Sequence, residues 1–242
     1  MKTGILYGIG VGPGDPDLLT VKASRLLAES KHVFVPKARK GAESLAFTIA
    51  QKHINPEAEI HEVLFPMTTD RDELEAHWEN SARVIGEVLE TGSDVCFLTI
   101  GDAFLYSTYI YMLRALRRKI PDLQVVTVPG ITAFSAAAAL AEFPVGQAKE
   151  PVTIIPTADD LEEVRQAVAR GGTVILMKIG KRLGGILDIL ENAGVLGRSV
   201  FVSHAGMDNQ RIETDLSKLR GENTDTGYMS IILVRIKSEK PQ

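Results

Sequence analysis

Apolar residues recur along this chain in two alternating textures. Short runs rich in branched and aromatic residues predict strands at Ile5–Gly10, His32–Val35, Glu59–Phe65, Asp94–Ile100 and Leu123–Val128. Between them the apolar spacing changes to three and four residues, the period of a helix with one buried face. The clearest case is Arg71–Glu90, where Leu74, Trp78, Ala82, Ile85 and Leu89 share a stripe and Trp78 is expected in the core. Asp70, with Glu73 three residues on, is placed to cap its start, and Gly92 lies just past its end. Ser107–Arg118 repeats the pattern with Ile110, Leu113 and Leu116. Strand and helix in alternation predict a mainly parallel sheet covered on both sides.

After Pro129 the texture changes. Gly130–Glu142, "GITAFSAAAALAE", predicts an alanine-rich helix in close packing, and Glu142–Pro151 is irregular. Strand Val152–Pro156, helix Asp159–Arg170, a stop at Gly171–Gly172, strand Thr173–Lys178 and helix Lys181–Ala193 follow. Leu161, Val164 and Val168 form the apolar face of the first of these helices. Asp159, Asp160, Glu162 and Glu163 occupy its first turn, where the helix dipole favours acid. Ser199–Leu216 reads as two strands joined by a turn at Asp208–Asn209, and Tyr228–Lys237 as a final strand. Strands without a helix between them predict a mixed sheet. The expected architecture is α/β, with two lobes: residues 1–129 around a mainly parallel sheet, residues 130–242 around a mixed one. A ligand cleft is expected between them.

Composition narrows the function. With 242 residues and 45% of them hydrophobic, the chain has material for sizeable cores. A net charge of −4 supplies no global positive field, so no nucleic-acid partner is expected, and an anionic ligand must be held by local basic groups. The single cysteine, Cys96, lies in the apolar run "DVCFLTI"; it predicts a small buried hydrophobe and a reducing, cytoplasmic setting. His32, His53, His61, His77 and His204 show no zinc-binding spacing, and no resident metal is expected. The opening "MKTGILYGIG" reads as the start of a fold rather than a signal peptide. No apolar run approaches the ~20 residues of a membrane span, so no membrane partner is expected.

The first strand runs into "YGIGVGPGDPDLLT" (Tyr7–Thr20), where Gly8, Gly10 and Gly12 alternate. A dinucleotide fingerprint, G-x-G-x-x-G, would need its third glycine at Pro13 or Asp15, and neither frame fits. A phosphate loop would need Gly-Lys-Ser or Gly-Lys-Thr, where this chain has Gly14-Asp15-Pro16, and a carboxylate repels polyphosphate. Two readings remain: bare backbone for a ligand's close approach, or a tight strand-to-helix turn that touches none. The segment has an echo. "TIGDAFLYST" (Thr99–Thr108) also puts Gly-Asp at a strand end shortly before a helix. Ligands of open parallel sheets sit outside the carboxyl ends of the strands, so both turns point toward one pocket.

"GIGVGPGDPDLLT", "LTIGDAFLYST", "VPGITAFSA" and "YMSIILV", in that order from Ile5 to Val234, resemble the motifs of the tetrapyrrole methyltransferases of cobalamin and sirohaem synthesis. Within that family "VFVPKA" (Val33–Ala38), "LFPMTTD" (Leu64–Asp70) and "YSTYIYM" (Tyr106–Met112) look like the enzymes that methylate carbon-20 of precorrin-2 or cobalt-factor II. The resemblance implies a two-lobed fold, S-adenosylmethionine as methyl donor with S-adenosylhomocysteine as its product, a homodimer, and an anionic tetrapyrrole substrate. It places the cofactor contacts at Pro13, then Ile100, Gly101, Asp102, Leu105, Tyr106, Ser107 and Thr108, then Thr132 and Ala133. Met177, Lys178, Ala205 and Met229 complete the set. Two positions depart from the family pattern. Gly101-Asp102-Ala103 stands where Gly-Asp-Pro is usual, and Tyr228-Met229-Ser230 where an aromatic commonly sits in the middle. Adjusted packing rather than lost binding is expected from both.

Methyl transfer from a sulfonium is an in-line displacement with a neutral leaving group, so it calls for neither metal nor strong acid. The protein has to hold the methyl carbon roughly 3–3.5 Å from the attacking carbon and in line with it. That suits corners made of backbone, small residues and apolar walls. A bridging carbon of a reduced tetrapyrrole is already enamine-like, and the base that removes its proton stays unassigned. Asp102 is a candidate base, with a hydrogen bond to the cofactor or the turn as the better account. The substrate's carboxylates call for basic groups, with Lys37, Arg39, Lys40, Lys181, Arg182 and Arg211 as candidates. Arg114, Arg117, Arg118 and Lys119 read instead as partners of a helix C-terminal dipole. His204 is either a substrate contact or an ordinary half-buried residue. The rivals are a nicotinamide-dependent oxidoreductase, a tetrapyrrole carrier without catalysis, an RNA- or diphthamide-directed relative, and a methyltransferase for carbon-2 and carbon-7 of uroporphyrinogen. The broken fingerprint opposes the first.

Overall fold

The computed structural model describes residues 3–39, 41–66, 68, 70–157, 160–221 and 229–236. Lys40, Asp159, Tyr228 and Lys237, which figure in the expectations above, lie outside the described residues. By its internal contacts the chain divides into two compact units, Met1–Thr132 and Ala133–Gln242.

The first unit follows the alternation read from the sequence: β1 (Leu6–Gly10), α1 (Val21–Glu29), β2 (His32–Lys37), α2 (Leu45–Ala50), β3 (Glu59–Leu64), α3 (Arg71–Glu90), β4 (Val95–Thr99), α4 (Tyr109–Lys119) and β5 (Val125–Val128). Its strands are all parallel, in the order β3-β2-β4-β1-β5. Successive side chains of a strand point to opposite faces, and this sorts the core. Leu6, Phe34, Val95 and Phe97 pack with α3 and α4, whereas Ile9, Val33, Val35, Cys96 and Leu98 pack with α1 and α2. Helix α3 has the bounds that its apolar period predicts. The Asp70 side chain accepts from the N–H groups of Asp72 (2.9 Å) and Glu73 (3.1 Å), and Gly92 beyond its end has φ +87°. Burying Ile85 and Leu89 contributes about 1.5–3 kcal/mol each. Trp78 is half-buried rather than a core residue; its indole stacks on Tyr111 of α4, with ring centroids 4.6 Å apart. Cys96 is buried, and burial pushes its thiol up to about 11.

The second unit holds α5 (Ala133–Leu140), β6 (Val152–Ile155), α6 (Leu161–Arg170), β7 (Gly172–Met177), α7 (Leu183–Asn192), β8 (Ser199–Ser203), β9 (Arg211–Glu213) and β10 (Ser230–Ile236). The sheet order is β6-β7-β10-β8-β9, with β6 parallel to β7 and the other pairings antiparallel: a mixed sheet. Its core joins Val164, Val168, Ile186 and Leu190 of the helices to Val174, Leu176, Phe201, Ile232 and Val234 of the strands. Asp160 caps α6 by accepting from Glu162 N–H (2.8 Å), and Gly171 ends it with φ +84°. The β8–β9 connection is longer than a two-residue turn at Asp208–Asn209. Met207 N–H bonds the His204 carbonyl and Gln210 N–H bonds the Met207 carbonyl (both 3.0 Å), so two short turns run in series.

Candidate functional site

In the first unit the neighbouring strands β1 and β4 send the chain to opposite faces, one to α1 and the other to α4. That is the topological switch at which open parallel sheets bind ligands, outside the carboxyl ends of the strands. The segments leaving β1, β4 and β5 are joined there by backbone. Gly12 and Gly101 exchange two hydrogen bonds, Gly12 N–H to Gly101 O (3.2 Å) and Gly101 N–H to Gly12 O (2.7 Å). The two turns that echo each other in sequence are thus bonded in space. Both glycines have left-handed backbone, with φ +80° and +69°. A Cβ on Gly10 would lie 2.6 Å from Gly130 N and 2.7 Å from Gly101 O, and one on Gly130 would overlap the Gly101 carbonyl. Gly8 is bare for another reason: a Cβ there would overlap the Tyr109 ring, whose hydroxyl bonds Thr127 (3.0 Å). Burial holds that phenol above its ordinary pKa.

Asp102 closes the arrangement. Its Oδ1 accepts from Phe104 N–H (2.9 Å) and its Oδ2 from Gly130 N–H (3.0 Å), so one half-buried carboxylate fastens the β4 turn to the β5 turn. Asp15 spends its carboxylate similarly, accepting from Asp17 N–H (2.9 Å) to cap a 3-10 turn at Pro16–Leu18. No Lys or Arg occurs in residues 11–18, 100–108 or 129–132. These corners therefore present amides, carbonyls and small side chains, with the Asp15 and Asp102 carboxylates already engaged and no cation to answer a polyphosphate.

The expected cofactor positions of the first unit meet at this end of the sheet. Pro13 is buried beyond β1; Ile100, Gly101, Asp102, Leu105, Tyr106, Ser107 and Thr108 link β4 to α4; Thr132 follows β5. Ser107 is buried and its hydroxyl donates to the Ala103 carbonyl (2.5 Å), so its hydroxyl hydrogen serves the turn. Tyr106 is exposed and has φ +52°, a conformation that costs a non-glycine residue about 1–2 kcal/mol. Ala133 begins α5 in the second unit.

The second unit gathers its own set at one sheet end, where β7 and β8 finish and β10 starts. Lys178 N–H donates to the Ser230 carbonyl (3.0 Å) and His204 N–H to the Met229 carbonyl (2.9 Å), which puts Met177, Lys178, Ala205 and Met229 side by side. Lys178 (φ +52°) and His204 (φ +51°) are again left-handed without being glycine. Lys181 and Arg182 are exposed in the turn after β7, and Arg211, opposite Ser203, opens β9 at the same end. Its guanidinium lies 4.0 Å from Glu213. In the first unit Arg39 is exposed just beyond β2. Lys37 bonds Glu62 across the β2–β3 pair (2.5 Å) with little of its side chain exposed, so its charge is already answered.

The model of the family described as Tetrapyrrole (Corrin/Porphyrin) Methylases matches residues 5–220. The chain belongs to that family. Among its relatives, a cobalt-precorrin-2 C(20)-methyltransferase of Salmonella typhimurium is 34% identical over 96% of this chain and 96% of its own. A probable cobalt-precorrin-2 C(20)-methyltransferase of Methanocaldococcus jannaschii is 32% identical over 95% of each chain. The fold is that of the uroporphyrin-III C-methyl transferase of Thermus thermophilus, solved in complex with S-adenosylhomocysteine: TM-score 0.63, 21% identity, 96% of this chain and 97% of that one. In this tetrapyrrole methylase the buried Ala103 at the departure from Gly-Asp-Pro leaves the turn intact, with its carbonyl bonded by Ser107. The sequence reading missed Phe104, which is 55% exposed on that turn with its ring 5.7 Å from Tyr109. An aromatic directly after Gly-Asp-Ala was the available signal.

Proposed function

We propose that this methylase is an S-adenosylmethionine-dependent C-methyltransferase that methylates carbon-20 of precorrin-2 or its cobalt form in corrin synthesis. One observation carries the reading: the neutral backbone corner of Gly12, Gly101 and Gly130, fastened by Asp102, in a chain similar over nearly its whole length to C(20)-methyltransferases. The corner fits a donor whose adenosine is uncharged and whose amino-acid end is zwitterionic, and it repels a dinucleotide pyrophosphate. Bound there, the donor supplies an electrophilic methyl on a sulfonium.

The chain's own contribution is placement. The Gly12–Gly101 bridge fixes the distance between the β1 and β4 turns, and Asp102 fixes the β5 turn against them. Binding geometry that is set before the substrate arrives is what an in-line transfer needs. Both Asp102 oxygens accept backbone protons, which suits a positioning role better than proton removal. Met177, Lys178, Ala205 and Met229 belong to the donor set in this proposal. The tetrapyrrole carboxylates are taken by Arg39, Lys181, Arg182 and Arg211, with Lys37 a weaker candidate because of Glu62. The proposal includes a homodimer working in the cytoplasm; the buried, protonated Cys96 agrees with a reducing compartment. Among the described residues no helix is long and apolar enough to cross a membrane.

The test incubates the protein with precorrin-2 or cobalt-factor II and labelled S-adenosylmethionine, then locates the methyl by mass and NMR. A methyl on carbon-20 is expected. A methyl on another carbon refutes the substrate assignment, and failure of folded protein to take up the donor refutes the whole reading.

A further inference from the structure

At the amino-terminal end of the first unit's sheet, the first residue of β2 and the first and third of β3 converge. The register pairs His32 with Glu59 and Phe34 with His61, which brings the two imidazoles and the carboxylate to one face. His32 Nδ1 lies 3.2 Å from His61 Nε2, and Glu59 Oε2 lies 3.4 Å from the first and 3.7 Å from the second. We propose that His32, His61 and Glu59 form a binding site for a divalent first-row transition ion, with zinc as the reference metal.

The triangle has the right size. Two nitrogens and an oxygen bound tetrahedrally to zinc stand about 3.3–3.4 Å apart, given bonds of about 2.0–2.1 Å. The circle through the three observed positions has a radius of about 2.0 Å, so one ion reaches all three atoms at bonding distance. Without an ion, the two imidazole nitrogens share one N–H in a hydrogen bond and the exposed Glu59 oxygen faces them as a further acceptor. One divalent ion would engage all three atoms together.

The site is oriented and accessible. The His61 ring stacks on Phe34, with centroids 4.4 Å apart and planes 10° from parallel, so its direction is set by packing. The His32 and His61 side chains are 22% and 18% exposed and that of Glu59 66%, leaving an open side for the ion and its water. Two imidazoles and a carboxylate suit zinc, cobalt or nickel rather than magnesium or calcium. The ion would clasp the edge strand β3 to β2. It would sit about 16 Å from the carboxyl end of β2, by strand rise, so its role is structural and separate from methyl transfer. The spacing rules that found no zinc motif read neighbours along one element, whereas this group is assembled across two strands.

The test uses untagged full chain stripped with a chelator, titrated with Zn²⁺ by calorimetry and with Co²⁺ by visible absorption. One equivalent of Zn²⁺ binding at micromolar concentration or tighter is expected, with Co²⁺ d–d bands, a rise in thermal midpoint of roughly 5 °C at hundredfold excess over Kd, and no response to Mg²⁺. His32→Ala and His61→Ala should each weaken binding at least a hundredfold, and Glu59→Gln about tenfold. If an alanine variant fails to fold, His32→Asn and His61→Gln carry the same comparison. No stoichiometric uptake at 100 µM Zn²⁺, or uptake undiminished in the histidine variants, overturns the proposal. None of these readouts involves methyl transfer, so the functional reading stands or falls separately.

Discussion

Removing the Asp102 carboxylate separates a positioning residue from a catalytic base. It accepts two backbone protons, from Phe104 at 2.9 Å and Gly130 at 3.0 Å. Hydrogen bonds to an ionised acceptor are worth about 1.5–3 kcal/mol when well buried, and this side chain is only half-buried, so the lower figure applies. Asp102→Ala is therefore expected to cost about 2–3 kcal/mol. Asp102→Asn keeps one acceptor and turns an N–H toward the other donor, costing about 1–2 kcal/mol. The loss falls on the corner itself, because Gly130 is packed against Gly101 and Gly10. Urea unfolding measures the first effect. Calorimetric titration with S-adenosylmethionine measures the second, an expected weakening of roughly tenfold in Asp102→Ala, the equivalent of 1.4 kcal/mol. Steady-state turnover at saturating donor should stay within several-fold of the unmodified enzyme. An Asp102→Asn enzyme with unchanged stability and donor affinity but turnover reduced a thousandfold would refute this argument and make Asp102 the base.

Other consequences are open to measurement. Gly130→Ala drives a methyl into the Gly101 carbonyl and is expected to cost about 3 kcal/mol or to abolish folding. In Gly101→Ala the nearest atom is Ile131 O at 4.0 Å, so only the strain of φ +69° remains, about 1–2 kcal/mol, and the pair of unfolding curves checks the contrast. Cys96 keeps its proton to about pH 11 when folded but to about 9 when unfolded, so its contribution to stability is full below pH 9 and is lost between 9 and 11. Between pH 9 and 11 the unfolding free energy of the wild type, from urea titrations, should fall relative to that of Cys96→Ala by about 1.4 kcal/mol per pH unit. Lys181→Ala and Arg182→Ala should raise KM for the tetrapyrrole several-fold while leaving the donor Kd unchanged, which initial-rate kinetics and calorimetry test together.

Most of the fold was legible because its signals are local. The 3.6-residue period of Arg71–Glu90 needs no knowledge of what it packs against, and the cap at Asp70 is three residues from its partner. Helices α1 and α2 were not singled out. They are short, and the caps that start them, Thr20 accepting from Ala23 and Ser44 from Phe47, are single hydrogen bonds at 3.2 and 3.4 Å. Trp78 fits the helical stripe in sequence, but an apolar position at the edge of that stripe meets the next helix rather than the sheet, hence its stack on Tyr111.

The site was legible in part, for a related reason. Bare glycines at Gly8, Gly10 and Gly12 announce close approach without saying to what. Gly8 yields to an aromatic ring more than a hundred positions away in the chain, Gly10 to backbone of the turns that follow β4 and β5, and Gly12 to its own left-handed turn and the bridge to Gly101. Three adjacent instances of one residue type thus have three causes, and no spacing rule distinguishes them. The same holds at the other end of the sheet. His32 and His61 are 29 positions apart, and only the β2–β3 register makes them neighbours. A parallel sheet brings residues a whole strand-helix-strand unit apart to within one strand spacing, about 4.8 Å. Chemistry built on such pairs is therefore invisible to motifs that read a single element. It becomes legible once strand order is known, and strand order is what the crossing of β1 and β4 to opposite faces supplies.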